Sequence, residues 1–280
     1  MSKHPKLKKF LKIGFWTLTA AVYALSAFAA YYYFAEPEFG CATADNVQIV
    51  RIEGEILPYD LETGDSPYTV STGAVEQLEA ADWNENIQYV LLDIDSPGGA
   101  VTASEEIVAA IKHVNKPVAA MIRGQGASGA YWIAAGADTI FAYPTADLGS
   151  IAVNGSYLDY SKKNTEEGIT FNDLSSGKFK NMLDPDKPLT AEERANAMEM
   201  ILHSHNLIVA DIANLRNLQI DKVKAVADGR LLHPEQAKEA GLIDSIGTKY
   251  DVLYFIAEQI GEEPELCELD FSEYDGWRLP

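Results

Sequence analysis

Apolar residues in the first half of the chain fall into short, nearly continuous runs that polar or glycine-rich segments separate. The runs at residues 47–56, 89–94 and 116–123 each have the length of a strand. Uninterrupted apolar runs of this length are typical of parallel strands that are buried on both faces. Shorter apolar stretches predict strands at residues 139–142 and 151–154. The pattern therefore predicts a buried sheet of mostly parallel strands.

Segments with helical features lie between and after these strands. Two of them begin with a capping box, a threonine followed three residues later by glutamate: Thr102 with Glu105, and Thr190 with Glu193. The boxes predict helices at residues 103–114 and from 190 to about 215. Further helices are predicted at residues 74–82, after the glycine-rich turn at 124–129 and up to 135, and near Lys222, Pro234 and Tyr250. Strands that alternate with helices indicate an α/β fold with crossover connections.

The N-terminal region has the pattern of a membrane anchor. Residues 13–35 contain no charged side chain, and 23 residues of helix reach roughly 34 Å, enough to cross the apolar core of a bilayer. Five lysines and no acidic residue precede this segment. By the positive-inside rule the N-terminus is cytoplasmic and the body lies outside the cytoplasm. We therefore expect a single-pass protein of the cell membrane.

A cleavable signal peptide is the alternative interpretation of the same segment. Ala27, Phe28 and Ala29 have the small-x-small form of a cleavage site. The length of the apolar stretch favours the anchor. Both interpretations export the body of the protein.

The predicted organisation is a basic segment, an anchor, a linker, one globular domain and an acidic tail, at residues 1–12, 13–35, 36–46, 47–262 and 263–280. The 280 residues carry a formal net charge of −20, which argues against binding to nucleic acid.

Cys41 and Cys267 are the two cysteines. Their spacing does not fit a metal site, and a disulfide between them stays open. We expect neither a metal nor a cofactor.

Ser128 is the candidate nucleophile. It follows a predicted buried strand and opens a helix, and its neighbours Ala127 and Gly129 leave room for a sharp turn and for a substrate. Gly98 and Gly99 follow the preceding strand, where their amide groups can face a developing oxyanion. The alternatives are a serine that only caps a helix and glycines that only form a tight turn.

A serine nucleophile needs a base, and none of the histidines fits that role. The five are His4, His113, His203, His205 and His233. None of them lies in a glycine-rich turn near the ends of the predicted strands. The absence directs attention to lysine, because desolvation lowers the pKa of a lysine amine toward neutrality and makes it a base.

Four ordered motifs resemble those of the signal peptide peptidase A family. They are DSPGG with TASE at 95–99 and 102–105, ASGAY at 127–131, GKFK at 177–180 and ADGR at 227–230. The resemblance extends from residue 47 to about residue 247. It implies the layered α/β fold of the Clp protease and crotonase type, and a serine peptidase with a Ser-Lys dyad.

The resemblance also assigns roles to particular residues. Ser128 corresponds to the nucleophile and Lys180 to the general base. Lys178 is the rival base, because an extended segment would place it on the same face as Lys180, but the register of the motif favours Lys180. Ser150 corresponds to the serine that orients the lysine. By analogy with Clp-type proteases, the backbone amides of Gly99 and Gly129 form the oxyanion hole.

The resemblance implies that the substrates are remnant signal peptides or similar apolar, extended peptides. It implies a homo-oligomer, an octameric ring in particular, in which neighbouring subunits contribute the serine and the lysine. Two alternatives from other classes stay open: a catalytically silent membrane-bound scaffold, and a crotonase-like enzyme that acts on acyl thioesters.

Overall fold

The computed structural model describes residues 19, 22–26, 44–60 and 67–269. The chain divides into two units, Met1–Cys41 and Ala42–Pro280. Residues 22–26 of the predicted anchor are helical, and most of residues 13–35 lie outside the described residues, as do residues 1–12. Among the described residues there is no helix that is both long enough and apolar enough for a membrane span.

A mostly parallel sheet is the framework of the larger unit. Its described strands are β1 (Val47–Leu57), β2 (Tyr68–Val70), β3 (Tyr89–Gly99), β4 (Val118–Ala127), β5 (Thr139–Ala142), β6 (Asp147–Gly149), β7 (Leu231–Leu232), β8 (Ser245–Ile246) and β9 (Leu266–Glu268). The order across the sheet is β2-β1-β3-β4-β5-β8. β6 pairs with β4 and β7, and β9 pairs with β1. Only the pairing of β6 with β7 is antiparallel among the described strands.

Helices connect and cover the strands. They are α1 (Ser71–Trp83), α2 (Val101–His113), α3 (Gly129–Ala135), α4 (Ser161–Glu166), α5 (Ala191–Leu215), α6 (Ile220–Lys224), α7 (Pro234–Glu239) and α8 (Lys249–Ile260). The α/β architecture with parallel strands is the one that the sequence pattern predicts.

Both faces of the central strands are buried, which explains why their sequences are apolar without interruption. On one face, Val252 and Ile256 of α8 belong to a core cluster with Val47, Ile49 and Leu91. Alternate residues of the same strands point to the opposite face, and they too are buried. The sheet therefore forms a rigid centre whose strand ends carry the site described below.

Several predicted boundaries differ from the structure. β3 and β4 continue to Gly99 and Ala127, because backbone pairing goes on beyond the apolar runs, for example between Ser96 and Gly126. The strand predicted at 151–154 is wrong, and the strand of this region is β6. Between the predicted strand at 47–56 and the predicted helix at 74–82 the structure contains a further strand, β2, which pairs with the end of β1. Pairing partners that are distant in sequence determine all of these ends.

The two predicted capping boxes have different outcomes. The box at Thr102 and Glu105 is wrong, because α2 already begins at Val101 and has Ala100 at its N-cap without a side-chain bond. The box of α5 is confirmed: the Glu193 N–H donates to Thr190 Oγ, and the Glu193 carboxylate accepts from the Thr190 N–H at 2.9 Å.

Glu193 makes the folded state sensitive to acid. Hydrogen bonds from Lys187 and Thr190 lower the pKa of this buried carboxyl from 4.5 to about 2. A lowered folded-state pKa contributes stability that is present above pH 4.5 and is lost as the pH falls through 2. We expect Glu193→Gln to reduce the loss of stability between pH 4.5 and pH 2, measured by denaturant unfolding across that range. Glu192→Gln at the exposed neighbouring position is the control, and equal pH dependence of all three proteins would contradict the prediction.

The region predicted as an acidic tail contributes a strand. Leu266–Glu268 form β9, which pairs with Val47, Gln48 and Ile49 at the start of β1. Cys267 is buried in this strand and is disulfide-bonded. Cys41 lies outside the described residues.

Candidate functional site

Ser128 lies in a strained turn between β4 and α3. Its φ of 54° and ψ of −122° belong to a region that residues other than glycine rarely adopt. The Ser128 N–H donates to the Gly149 carbonyl oxygen at 2.7 Å, and its own carbonyl accepts from the Trp132 N–H at 3.1 Å. The residue is partly exposed, whereas Ala127 and Gly129 are buried. Backbone strain of this kind is common at catalytic positions, where the surrounding structure holds it in place.

The glycine pair at the end of β3 lies directly beside this turn. Gly98 has a φ of 95°, and a β-carbon on it would lie 2.8 Å from the Gly129 nitrogen and 2.9 Å from the Ser128 β-carbon. The Gly99 nitrogen is 3.6 Å from the position that a β-carbon on Gly129 would occupy. The structure thus brings together the serine turn and the glycine pair, which the sequence predicts to lie side by side.

We expect Gly98→Ala to destabilise the fold. The new methyl group would collide with the backbone of Gly129, and alanine is strained at a φ of 95°. Together these effects should lower the free energy of unfolding by about 2–4 kcal/mol, as measured by denaturant unfolding.

Gly73→Ala is the matched control for this substitution. A β-carbon on Gly73 in α1 meets no atom within 4 Å, so the replacement should raise stability by about 0.5–1 kcal/mol. Equal stability of the two variants would contradict the tight packing of Gly98 against the serine turn.

Ser150 is positioned next to Ser128 by the pairing of β6 with β4. Ala127 is opposite Gly149 in this pairing, so the two serines follow at adjacent positions. Ser150 also has a positive φ, 47°. Its hydroxyl donates to the Gly229 carbonyl oxygen at 3.2 Å, and its N–H donates to the Arg230 carbonyl oxygen at 2.8 Å. Ser150 is therefore close to the candidate nucleophile and is held by the ADGR motif.

The ADGR turn is stabilised by an ion pair between Asp228 and Arg230. The Asp228 carboxylate accepts from the Arg230 N–H at 3.2 Å and from the Arg230 Nε at 2.8 Å. The hydrogen bonds from Arg230 lower the pKa of Asp228 to about 2. The sequence singled out this motif only through the family resemblance, and its contact with Ser150 is a finding of the structure.

Lys180 lies in a turn of the long, largely exposed segment of residues 150–190. Its N–H donates to the Gly177 carbonyl oxygen at 3.0 Å, and its side chain is exposed. Within the part of the chain that the structure describes, no hydrogen bond joins the Lys180 Nζ to Ser128 or Ser150. The structure therefore brings together Ser128, Gly99, Gly129 and Ser150, and among the described residues Lys180 shares no hydrogen bond with them.

Lys178, the rival base, has partners of its own. Its Nζ forms an ion pair with Glu192 at the start of α5. It also lies 5.6 Å from the centroid of the Phe179 ring. These contacts tie the segment to α5 and distinguish Lys178 from Lys180.

Large apolar side chains are exposed on residues 150–190 and on α5. They are Leu158, Tyr160, Ile169, Leu174, Phe179 and Leu183 in the segment, and Met198, Met200, Leu202 and Leu207 in the helix. Where exposed apolar side chains form one contiguous patch, such a patch is typical of a protein–protein contact.

The sequence analysis assigns no individual role to two residues that support the site, Asp95 of the DSPGG motif and Asp211 of α5. The Asp95 carboxylate accepts from the Gln125 N–H at 3.0 Å and so fixes an irregular stretch of β4. The Asp211 carboxylate accepts from Trp132 Nε1 at 2.8 Å and from Lys112 Nζ at 2.7 Å, which ties α3 to α5 and α2. These roles arise from tertiary packing, and the sequence carries no local signal for them.

Comparisons with known proteins agree with this fold. The sequence model of the Clp protease matches residues 63–149, and that of peptidase family S49 matches residues 110–261. The fold thus contains a Clp protease-like domain of mostly parallel strands. Because the second match covers more than half of the chain, the chain belongs to peptidase family S49.

Individual relatives are named as peptidases. A candidate protease of Methanocaldococcus jannaschii is 33% identical over 72% of this chain and 66% of its own length. A candidate signal peptide peptidase SppA of Enterococcus faecium is 34% identical over 71% of this chain and 57% of its own length. A candidate protease of Synechocystis is 36% identical over 66% of this chain and 67% of its own length. The chain thus spans two thirds or less of the first two relatives.

Proposed function

We propose that this protein is a membrane-anchored serine endopeptidase that works with a dyad of Ser128 and Lys180. One observation carries the proposal: Ser128 occupies a positive-φ turn whose backbone lies against a glycine pair from the neighbouring strand end. A capping serine needs neither the strain nor the adjoining glycines. The family membership supports the same chemistry.

In the proposed reaction, the neutral amine of Lys180 accepts the proton of the Ser128 hydroxyl. The serine oxygen attacks the carbonyl carbon of a peptide bond, and the carbonyl oxygen becomes an oxyanion. The N–H groups of Gly99 and Gly129 donate hydrogen bonds to this oxyanion. The lysine ammonium then returns its proton to the departing amine, which leaves an ester on Ser128. Water, deprotonated by the same lysine, hydrolyses the ester and restores both groups.

The dyad is proposed to form between subunits of a homo-oligomer, in particular an octameric ring. Two observations support this arrangement: Lys180 has no bond to Ser128 within the described residues of one chain, and the segment that carries it exposes many apolar side chains. A closed ring of head-to-tail contacts would give every Ser128 a lysine from the next subunit. The Ser150 hydroxyl, beside Ser128 and donating to Gly229, would accept the hydrogen bond that orients this lysine.

The proposed substrates are remnant signal peptides or similar apolar peptides in extended conformation. A neutral lysine requires a site with little water, and such a site favours apolar side chains in the substrate.

Residues 13–35 are proposed to hold the protein in the cell membrane, with a cytoplasmic N-terminus and an extracytoplasmic catalytic domain. The disulfide at Cys267 is consistent with an oxidising compartment.

Labelling with a fluorophosphonate tests the proposal. This reagent phosphonylates an activated serine, so mass spectrometry of the digested wild-type protein should locate the adduct on Ser128. The rate of hydrolysis of an apolar reporter peptide should fall in proportion to the fraction of Ser128 that is labelled. A folded oligomer that is neither labelled nor hydrolytic would contradict the proposal and favour a scaffold.

A further inference from the structure

The pairing between β1 and β3 contains an irregularity just before the glycine pair. The strands pair regularly up to Glu53 and Asp95, and the next pair is Glu55 with Gly98. β3 therefore has one residue more than β1 in this interval, which is a β-bulge. Bulges interrupt the ladder of backbone hydrogen bonds and redirect the chain, and they are frequent beside active sites.

The hydroxyl group of Ser96 fills this interruption. It donates to the Gly54 carbonyl oxygen of β1 at 2.5 Å and accepts from the Gly98 N–H at 3.1 Å. The residue is fully buried, at 0% exposure. One side-chain oxygen thus replaces the direct bond that a regular ladder would place between the two backbones.

This bridge determines the direction of the next amide group. The Gly98 N–H is directed toward β1 through Ser96, and the Ala100 N–H donates to the Ile56 carbonyl oxygen of β1 at 2.8 Å. The Gly99 nitrogen lies between these two amide groups and beside the Gly129 backbone, 3.6 Å from the position that a β-carbon on Gly129 would occupy. The positive φ of Gly98 (95°) interrupts the extended conformation here, so the orientation of the Gly99 N–H depends on how the Gly98 N–H is held.

We propose that Ser96 is a positioning residue that aims the Gly99 N–H at the oxyanion by bridging Gly54 and Gly98 across the bulge. This role rests on the proposed peptidase function and adds to it a residue that does not touch the substrate. Without the hydroxyl, the buried Gly98 N–H and the half-buried Gly54 carbonyl lose this partner. The Gly98–Gly99 peptide, flexible at both glycines, would rotate to find another partner and turn the Gly99 N–H out of line.

The test compares Ser96→Ala with Ser71→Ala in the full-length protein. Ser71, the first residue of α1, is also fully buried, and its hydroxyl donates to the Glu106 carboxylate of α2. Both variants lose one buried hydroxyl, so thermal unfolding should show similar destabilisation. We expect Ser96→Ala to lower kcat on a reporter peptide by about 10–100-fold with KM within about twofold, because a misaimed oxyanion donor acts in the transition state. Ser71→Ala should keep kcat within about twofold of the wild type.

A second measurement separates alignment from general damage. A peptide aldehyde forms a tetrahedral adduct with the serine and needs the oxyanion donors, whereas the corresponding peptide alcohol does not. Ser96→Ala should lose aldehyde affinity by about the same factor as kcat/KM and keep its affinity for the alcohol. Ser96→Cys, with a weaker donor of similar size, should give intermediate values and replaces the alanine variant if that variant does not fold.

Two results overturn the proposal, and they differ in what they imply. If Ser96→Ala retains the kcat and aldehyde affinity of Ser71→Ala, Ser96 has no positioning role although the enzyme is a peptidase. If the wild type itself neither hydrolyses the peptide nor binds the aldehyde, the proposed function fails and the role of Ser96 fails with it.

Discussion

Replacing Ser128 by alanine is expected to lower the rate of peptide hydrolysis by roughly 10⁵-fold and to leave the fold intact. Alanine keeps the β-carbon, so the backbone strain at φ 54° is the same in both proteins. The difference is therefore the loss of the attacking oxygen alone. The rate is measured with a reporter peptide at saturating concentration, and circular dichroism checks the fold. Activity that survives in the alanine variant would exclude Ser128 as the nucleophile.

Ser128→Gly separates the strain from the chemistry. Glycine adopts a positive φ without penalty, so this variant should be equally inactive but more stable than the alanine variant by about 1–2 kcal/mol. A gain of this kind would show that the native serine is kept in a costly conformation for its reactivity. Equal stability of the two variants would mean that the turn carries no strain.

Replacing Lys180 by alanine is expected to lower hydrolysis by roughly 10⁴-fold, because the proposed reaction then lacks the group that accepts the proton of Ser128. Lys178→Ala is the matched control, two residues away in the same exposed segment. Its amine is engaged with Glu192, so we expect a change of less than about fivefold. Loss of activity in the control and not in Lys180→Ala would assign the base to Lys178.

Mixing the two inactive variants tests whether the dyad forms between subunits. In oligomers assembled from equal amounts of Ser128→Ala and Lys180→Ala chains, about a quarter of the head-to-tail contacts combine an intact serine with an intact lysine. Activity should therefore return to about that fraction of the wild-type value after dissociation and reassembly. Mixtures that stay inactive while forming oligomers would contradict a shared site.

The centre of the fold was predictable from the sequence, and the ends of its strands were not. Apolar runs mark β1, β3 and β4 because both faces of these strands are buried. Residues 95–99 and 124–127 contain serine, proline and glycine, which give no strand signal, yet they continue the sheet through irregular pairing. Such pairing depends on a partner strand far along the chain.

The candidate site, like the fold, was predictable from the sequence only in part. The sequence predicts that Ser128 and the glycine pair meet, because neighbouring parallel strands end at the same edge. The resemblance to a known family adds Ser150 and Lys180. The position of Ser150 against Gly229 follows from a strand contact between residues about 80 apart, and the pattern of the sequence contains no information on it. Whether a lysine from another chain reaches the site depends on assembly, which one chain does not specify.

The outer edge of β1 is shared by two short strands, β9 at its beginning and β2 near its end. Sheet edges left open invite pairing with extended segments of other molecules. Here β9, which is fixed by a disulfide at Cys267, covers the backbone groups of the first part of that edge. Proteolytic cleavage before Leu266 would remove β9. The exposed backbone of β1 at residues 47–49 would then favour aggregation over ordered assembly.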